Sequence, residues 1–255
     1  MIRFLKYLLY GGFYLFVWAI AAGLVYLIFF RTVPSCFDNQ QNQDETRIDC
    51  GGSCIDCGLK YINPLTVSRP LIFKNNDQAS FWARIHNPNL AYGSDKLDYK
   101  VNFYDSQNNL LLTLNQTSFI YAGETKDILE AGVRVSRGVA ASAELLIEES
   151  SLNWRPAAEW TAPTLEAAEV KSAVQKDQAV ITGVVKNPSS FSITKVTVGA
   201  ILNDRSGFPI GVSKTDLGGL SPFQIKNFQI FIPISSTAQS EVDPEATQII
   251  LEARK

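Results

Sequence analysis

The chain has 255 residues, of which 19% are charged, 11% aromatic and 46% hydrophobic. This composition indicates a folded protein rather than a disordered chain, and the length allows one large domain or two small ones. All 25 acidic residues follow Arg31, whereas only 20 of the 23 basic residues do, so the chain after Arg31 carries five net negative charges. Because that part has no basic cluster, we expect no nucleic-acid partner.

An uncharged apolar run of 24 residues, 7–30, lies between Lys6 and Arg31. At about 1.5 Å per residue a helix of this length spans about 36 Å, more than the roughly 30 Å of a bilayer core. The run therefore predicts a transmembrane helix, and Arg3 and Lys6 favour a cytoplasmic N-terminus. A cleaved signal peptide is the alternative, because Ala19-Ile20-Ala21 fits the small-x-small cleavage pattern.

All four cysteines lie within 22 residues directly after this run. They are Cys36, Cys50, Cys54 and Cys57. An even, clustered set on the outer side of a membrane predicts two disulfides in a segment too short for its own core, with the pairing open. Two alternatives remain. One is a four-thiolate zinc site, although only Cys54 and Cys57 have the usual spacing, and the other is a redox-active C-x-x-C pair.

Oxygen-bearing side chains lie between these cysteines. They are Asp38, Asn42, Asp44, Glu45 and Asp49. Closely spaced oxygens of this kind are the ligands that calcium prefers, so they form a candidate calcium site. The spacing is not that of an EF-hand loop, and the alternative is an acidic, solvated loop held by disulfides.

The same segment resembles a short module of bacterial surface proteins, C-x-D-G…N…E-T…D-C-G-G-x-C-x-x-C. The matching residues are Cys36-Phe37-Asp38-Asn39, Asn42, Glu45-Thr46, Asp49-Cys50-Gly51-Gly52-Ser53-Cys54 and Cys57. Asn39 replaces the usual Gly, and both residues tolerate a left-handed turn. The resemblance implies an extracytoplasmic location and no particular reaction.

Four landmarks after Gly58 recur at an offset of about 100 residues, which predicts two copies of one domain. They are Asp77-Gln78-Ala79 with Asp177-Gln178-Ala179, Asn87-Pro88 with Asn187-Pro188, Asp105 with Asp204, and 143–149 with 247–253. Each copy also contains runs in which apolar and polar residues alternate. The apolar positions include Leu97, Tyr99, Val101 and Phe103 in the first copy and Val196, Val198, Ala200 and Leu202 in the second. A period of two predicts half-buried antiparallel strands.

Two segments resemble the FxLYD domain, an immunoglobulin-like β-sandwich of bacterial and archaeal envelope proteins. The matching residues are Val101-Asn102-Phe103-Tyr104-Asp105, Ala200-Ile201-Leu202-Asn203-Asp204 and Gly183-Val184-Val185-Lys186-Asn187. The expected fold class is all-β, with two tandem immunoglobulin-like β-sandwiches preceded by a single transmembrane helix and a short Cys-rich segment. The predicted domains are a cytoplasmic tail at 1–6, the helix at 7–30, the Cys-rich segment at 32–60, sandwich 1 at 61–153, a linker at 154–167 and sandwich 2 at 168–255.

No catalytic constellation is visible in the sequence. The single histidine, His86, falls on the polar face of its predicted strand beside Trp82 and Arg84, and the Gly218-Gly219 pair lacks the helix and lysine of a phosphate loop. Asp105 and Asp204 occupy equivalent strand ends, where a turn-capping role is the simplest. We therefore expect a non-enzymatic, single-pass membrane protein of the cell envelope, with no required cofactor. Its two sandwiches in series would be a spacer or bind an envelope protein or a glycan, and the alternative is a calcium- or redox-dependent accessory component that acts through the Cys-rich segment.

Overall fold

A computed structural model describes residues 2–30, 35–75, 78–135, 138–234 and 242–254. Arg31 and Asp77, which the sequence argument used, lie outside these residues. The chain divides into two compact units with the boundary between Tyr61 and Ile62. The first contains the apolar helix and the Cys-rich segment, and the second contains both β-sandwiches. The expected fold class, all-β after one apolar helix and a disulfide-bonded segment, is confirmed.

The apolar run forms helix α1 (Ile2–Val25), which continues as a π-helical turn (Tyr26–Phe30). The part that is long and apolar enough to cross a membrane is Lys6–Ile28, 23 residues, and every side chain in it is exposed. Intrahelical hydrogen bonds satisfy the backbone of such a segment, so only its side chains have to match the solvent. Helix α2 (Cys57–Lys60) is a single turn, and the carboxylate of Asp56 caps it by accepting from the N–H of Gly58.

In sandwich 1 the described residues form eight strands. They are β1 (Thr66–Val67), β2 (Leu71–Asn75), β3 (Gln78–His86), β4 (Tyr92–Tyr104), β5 (Leu110–Ile120), β6 (Thr125–Arg134), β7 (Ser142–Ile147) and β8 (Trp154–Pro156). In one sheet the central strand β3 pairs with β1 and β2 on one side and with β6 on the other. In the second sheet the central strand β4 pairs with β5, and with β7 and β8 along its other edge. Every pairing is antiparallel.

Sandwich 2, as far as the structure describes it, has six strands. They are β9 (Glu166–Gln175), β10 (Gln178–Lys186), β11 (Ile193–Asn203), β12 (Pro209–Leu220), β13 (Ile225–Pro233) and β14 (Gln248–Arg254). Strand β10 lies between β9 and β13 in one sheet, and β11 lies between β12 and β14 in the other. The order matches that of sandwich 1, with β10 in the place of β3 and β11 in the place of β4. In each sandwich the central strand of the second sheet, β4 or β11, contains the alternating run of apolar residues identified in the sequence.

The alternation predicted for these central strands is confirmed. Leu97, Val101 and Phe103 of β4 are fully buried, and Phe103 packs edge to face on Phe81 of the opposite sheet, with ring centroids 6.3 Å apart. In β11 the residues Val196, Val198, Ala200 and Leu202 are likewise buried in the core of sandwich 2. Two separate apolar cores result, one between the sheets of each sandwich.

The predicted linker at 154–167 is shorter at both ends in the structure, and strand β9 already begins at Glu166. Residues Trp154–Pro156 form strand β8, which pairs with Ser94, Gly93 and Tyr92 of β4. Proline is compatible with this position because β8 pairs along one edge of β4. The segment therefore belongs in part to sandwich 1, and the connection between the sandwiches shortens to residues 157–165.

The two sandwiches lie side by side rather than end to end. The sheet of β2, β3 and β6 packs its outer face on the outer face of the sheet of β11, β12 and β14. The start of β6 lies beside the end of β14, where Lys126 approaches Glu252, and the middle of β6 faces β12, where Glu130 approaches Lys214. Both sandwiches therefore point the same way. We name the end with loops 87–91, 121–124, 187–192 and 221–224 the proximal end, because the chain enters sandwich 1 there, and the opposite end the distal end.

Candidate functional site

The four cysteines form two disulfides, Cys36–Cys54 and Cys50–Cys57, with Cα–Cα distances of 5.6 and 4.9 Å. The expected disulfides are thus present. In this pairing each bond closes a loop that contains a cysteine of the other bond, so the two loops interlock within a segment of few buried residues. With all four sulfurs paired, no thiolate is available for zinc or for dithiol exchange in this state.

Carboxylates organise the loop between the disulfides. Asp49, which is buried, accepts from the N–H groups of Asp38 and Asn39 at 3.0 Å each. Glu45, also buried, accepts from the N–H groups of Asn42 and Asp49 at 3.2 and 3.1 Å. These carboxylates accept hydrogen bonds from backbone N–H groups that would otherwise lack partners, because the segment has almost no regular secondary structure.

The candidate calcium ligands are not brought together as one donor set. Asp38 holds the amide of Asn42 at 2.7 Å, and Asp44 accepts from Ser53 Oγ at 2.8 Å, and these hydrogen bonds lower the pKa of both carboxyls. Among the described residues, the three potential ligands that lie within 4.8 Å of one another are Cys36, Glu45 and Cys54, and two of these are joined in a disulfide. The calcium hypothesis stays a prediction. The carboxylate oxygens are observed to hold the loop, whereas Asn42 Oδ1 is buried without a hydrogen-bond partner among the described residues.

Two buried asparagines fix the proximal loops in the same way. Asn87 Nδ2 donates to the carbonyls of Tyr92 and Tyr121 at 2.8 and 2.9 Å, and its Oδ1 accepts from the N–H of Asn89. Asn187 Nδ2 donates to the carbonyls of Phe191 and Ser221, and its Oδ1 accepts from the N–H of Ser189. Each Asn-Pro pair therefore ends a strand and also ties two loops together. The repeated dipeptide was the sequence signal for this role.

Asp105 and Asp204 cap the distal turns, as predicted. Asp105 Oδ1 accepts from the N–H groups of Gln107 and Asn109 at 2.8 Å each. Asp204 Oδ1 accepts from the N–H groups of Ser206 and Phe208 at 2.8 and 2.9 Å. The hydrogen bonds to Asn109 hold the pKa of Asp105 below its ordinary value. Each carboxylate therefore accepts hydrogen bonds within its own turn.

The junction between the sandwiches has an apolar centre that the sequence analysis missed. Leu129 of β6, Ile201 of β11 and Val212 of β12 are buried there, and Trp82 of β3 packs against them. The period of two in β3 predicts Trp82 on the solvent-facing side of the strand with Arg84 and His86. His86 and Arg84 are exposed as expected, but Trp82 is covered by sandwich 2. The available signal was the run from Val196 to Leu202, in which both faces of one strand carry apolar residues.

Charged side chains surround this apolar centre. Lys126 is buried, with Nζ 2.9 Å from Glu252 Oε1 and 3.7 Å from the ring centre of Phe119. The geometry between the Lys126 ammonium and the Glu252 carboxylate is not that of a hydrogen bond, so the two groups interact as opposite charges. The ring of Phe119 adds a cation–π contact to the same ammonium. Tyr121, whose hydroxyl donates to the Ala253 carbonyl at 3.1 Å, has its pKa raised to about 12 by burial.

A second ion pair lies at the middle of the junction. Lys214 Nζ is 3.3 Å from Glu130 Oε2, and the hydroxyl of Tyr99 donates to Glu130 Oε1 at 2.8 Å. Burial, followed by the charge of Glu130, raises the pKa of Tyr99, which therefore stays a neutral donor. A cleft of about 240 Å³ lies beside these groups, and Lys195, Thr197 and Asp216 also line it. The lining mixes both charge signs within a polar wall.

Trp160 holds the connection 157–165 on sandwich 1. Its ring stacks on Tyr121 at 4.2 Å and meets Phe119 edge-on at 5.9 Å. Gly93 lies under this ring, because a Cβ there would be 2.8 Å from a Trp160 ring carbon. The connection therefore packs on the sandwich beside the junction and limits the freedom of sandwich 2.

His86 is the one histidine of the chain and does not form part of a catalytic arrangement among the described residues. Its Nδ1 lies 2.9 Å from Thr125 Oγ1 on an exposed strand end. Nucleophilic catalysis requires a base oriented toward a nucleophile beside a developing oxyanion site. The described surfaces also include the polar cleft at the junction and the exposed apolar loops.

No protein-family model matches the chain, and no curated protein does. Among solved structures, it is similar to a red sea bream transglutaminase, with 10% identity, a TM-score of 0.25, and coverage of 77% of this chain and 32% of that one. A β-glucuronidase of glycoside hydrolase family 2 matches with 11% identity, a TM-score of 0.21, and coverage of 80% and 25%. The tandem CBM22 domain of Paenibacillus barcinonensis Xyn10C matches with 9% identity, a TM-score of 0.16, and coverage of 75% and 84%. The chain spans about a third or less of the first two structures, and scores this low carry no functional argument.

Proposed function

We propose that this chain is a non-enzymatic, single-pass membrane protein that presents two docked β-sandwiches outside the cytoplasm to an envelope protein or a glycan. Its N-terminus lies in the cytoplasm, and its Cys-rich segment lies between the bilayer and the sandwiches in sequence. The docked pair supports a rigid binding platform more than an extended spacer, because a spacer gains length by placing domains end to end.

The exposed apolar helix is the observation that carries this proposal. All side chains of Lys6–Ile28 are exposed, including those of Trp18 and Phe16 at 74% and 65%. In water such a surface is far larger than the apolar patches that soluble proteins tolerate, whereas in a bilayer it matches its solvent. Arg3 and Lys6, at the N-terminal end of the helix, favour a cytoplasmic N-terminus.

The disulfides support the extracytoplasmic placement of the remaining chain. Such bonds persist in oxidising compartments and are rare where thiols are kept reduced. The cysteines follow the helix in the chain, so an N-terminus in the cytoplasm places them outside it. This location agrees with the one that the resemblance to the bacterial surface-protein module implies. A redox role of the Cys-rich segment has less support, because its four sulfurs are all used in structural bonds.

Domain duplication is part of the same proposal. The strand order, the Asn87 and Asn187 contacts and the Asp105 and Asp204 caps support two copies of one ancestral sandwich. The resemblance to FxLYD domains names the family that we propose for both copies. The domain duplication is tested by solving the structure of each sandwich expressed alone. We expect the two structures to superpose on each other.

The test of the anchor is the behaviour of the full chain in cells. We expect it to remain with membranes after alkaline extraction, to keep residues 1–30 by intact mass, and to lose its C-terminal part to protease added outside the cell envelope. A tag before Arg3 should be protected from that protease. A chain that begins after Ala21 and appears in the soluble fraction would instead support the signal-peptide alternative and contradict the proposal.

A further inference from the structure

Phe223 occupies a turn position that favours glycine. The turn Ser221-Pro222-Phe223-Gln224 is closed by a hydrogen bond from the Gln224 N–H to the Ser221 carbonyl at 3.1 Å. Proline fixes a negative φ at the second residue, and Phe223 has φ +58°, so the turn is of type II. A bulky residue in the left-handed region is an outlier, because its Cβ crowds the backbone there.

The equivalent turn of sandwich 1 has the expected residue. In Tyr121-Ala122-Gly123-Glu124 the third position is Gly123, with φ +66°, and the Glu124 N–H closes the turn on the Tyr121 carbonyl. The two turns are equivalent because Asn87 Nδ2 donates to the carbonyl of Tyr121 and Asn187 Nδ2 to that of Ser221. Sandwich 2 therefore keeps a phenylalanine where the same geometry is available to glycine without strain.

The side chain of Phe223 does not pack in the core of the protein, although its presence strains the turn. The ring of Phe223 is 68% exposed, and Ile225, two residues later, is 56% exposed. In sandwich 1 an exposed apolar residue stands in the neighbouring loop instead, Leu90 at 82%, while sandwich 2 has Ser190 at the matching place after its Asn-Pro pair. Each sandwich thus presents a large apolar side chain at the proximal end, from a different loop. Strain that serves no packing purpose is typical of functional positions.

The position of these residues in the fold indicates what they contact. The chain enters sandwich 1 at the proximal end, where Asn63 and Asn89 exchange two hydrogen bonds of 2.8 Å. The apolar helix precedes this point, and residues 35–61 lie between. Lys186 lies opposite Ile225 and Lys226 opposite Val185 in the ladder of β10 and β13, with Glu166 on the other side of Lys186. The ammonium of Lys226 is half-buried and donates to the carbonyls of Leu217 and Gly219, so Lys186 is the lysine that stands beside exposed Ile225. An apolar side chain beside a lysine is suited to the boundary between lipid headgroups and acyl chains.

Exposure alone does not select this end. Phe208 and Val139 at the distal end are 69% and 62% exposed. Phe208 is not among the residues with positive φ, whereas Asn108 and Lys176, two other non-glycine residues in distal turns, are. The proximal end differs in that its left-handed residue, Phe223, is large, apolar and exposed, and in that the membrane-directed chain attaches there.

We propose that Phe223, Ile225 and Leu90 insert into the surface of the bilayer that holds the helix, so that the double sandwich rests on the membrane by its proximal end. This inference depends on the proposed membrane anchor. The docked sandwiches make it physically reasonable, because a rigid pair presents both loops to one surface at the same time.

Lipid photocrosslinking of the full chain tests the contact. The chain is reconstituted in nanodiscs of phosphatidylcholine and phosphatidylglycerol that contain a diazirine-bearing phosphatidylcholine, and adducts are mapped by peptide mass spectrometry. We expect adducts on the helix and on the peptides that carry Phe223 and Leu90, and none on the peptide that carries Phe208. Phe223→Gly should lower the yield on its peptide by about fivefold or more.

Matched variants control for folding. Phe223→Gly installs the residue of the equivalent turn, so its melting temperature should equal or exceed that of the parent chain. Phe208→Ser removes an equally exposed ring at the distal end and should leave every adduct unchanged. Leu90→Ser provides a second, independent loss of adducts at the proximal end.

The outcomes separate this inference from the proposed anchor. Adducts on the helix alone, or equal adducts on the Phe208 peptide, would overturn the bilayer contact while leaving the anchor intact. A crosslinked dimer of the chain that forms through the Phe223 peptide, with no lipid adduct on that peptide, would assign this surface to a second copy of the chain. That result would also overturn the proposed bilayer contact. Absence of adducts from the helix would contradict the anchor itself.

Discussion

The Cys-rich segment and the double sandwich reach a defined structure by opposite means. The segment has two disulfides in residues 36–57, and buried Glu45 and Asp49 satisfy its backbone. The sandwiches contain no cysteine and are held by two apolar cores and a mixed junction. A stretch too short to bury a core needs covalent links, whereas a sheet pair of normal size does not. The two regions should therefore respond independently to reductant and to core mutations.

The largest effect is expected from a cavity in the core of sandwich 1. Phe103→Ala removes a fully buried ring that packs on Phe81, and such truncations cost about 3–5 kcal/mol. Chemical denaturation of the full chain in detergent should show this loss, while the disulfides stay intact by mass. Phe208→Ala, in an exposed turn, is the control and should change stability by less than about 0.5 kcal/mol. Equal effects of the two substitutions would contradict the assignment of the core.

The Cys-rich segment should lose about 3 kcal/mol of local stability when Cys36 and Cys54 are both replaced by serine, because this bond spans 18 residues. Limited proteolysis should then cut within residues 35–61. The midpoint of sandwich unfolding should stay where it is in the parent chain. A joint loss of the sandwiches would show that the two regions are not independent.

A smaller loss of stability is expected from a substitution at the junction, and it tests whether the two sandwiches unfold together. A Cβ on Gly199 would lie 2.4 Å from Leu129 Cδ1, and Leu129 is itself buried. Gly199→Val should therefore cost about 1–3 kcal/mol and separate the calorimetric unfolding of the two sandwiches. Leu129→Ala in the same chain should restore part of this loss, because it removes the atoms that collide. Additive losses in the double variant would mean that these residues do not meet.

The smallest effect concerns pH. The pKa of Asp105 is held below 3.8 by Asn109 and its neighbours in the turn, so its stabilising contribution is present above pH 3.8 and disappears as the pH falls through the folded-state value. Asp105→Asn should make the melting temperature fall less steeply between about pH 5 and pH 2 than in the parent chain. Parallel slopes would contradict the capping role. The other carboxylates are the same in both chains and cancel in this comparison.

The sequence predicted the elements whose pattern is local. The period of two placed Val101, Phe103, Val198 and Leu202 in the cores, and the Asn-Pro pairs marked the ends of β3 and β10. The turn-capping aspartates were also accessible, because Asp followed by small polar residues after a strand has a defined turn chemistry.

The remaining features depend on contacts between segments distant in the chain. The disulfide pairing has three solutions for four cysteines, and spacing does not choose among them. The burial of Ile201 and the partial burial of Trp82 arise from the docking of one sandwich on the other, which local periodicity does not encode. Strand β8 escaped notice because three residues that include a proline carry no periodic signal. The role of Phe223 required the backbone angle and the comparison with Gly123.

The central claim is that the chain after the helix lies in an oxidising compartment while the helix stays in the membrane. The most direct measurement is intact mass spectrometry of the protein from isolated membranes, alkylated in the cell before extraction. We predict a chain that retains residues 1–30 with no cysteine alkylated, and four alkylated cysteines after reduction. A chain cleaved within the helix, or one with thiols alkylated in the cell without reductant, would contradict the account.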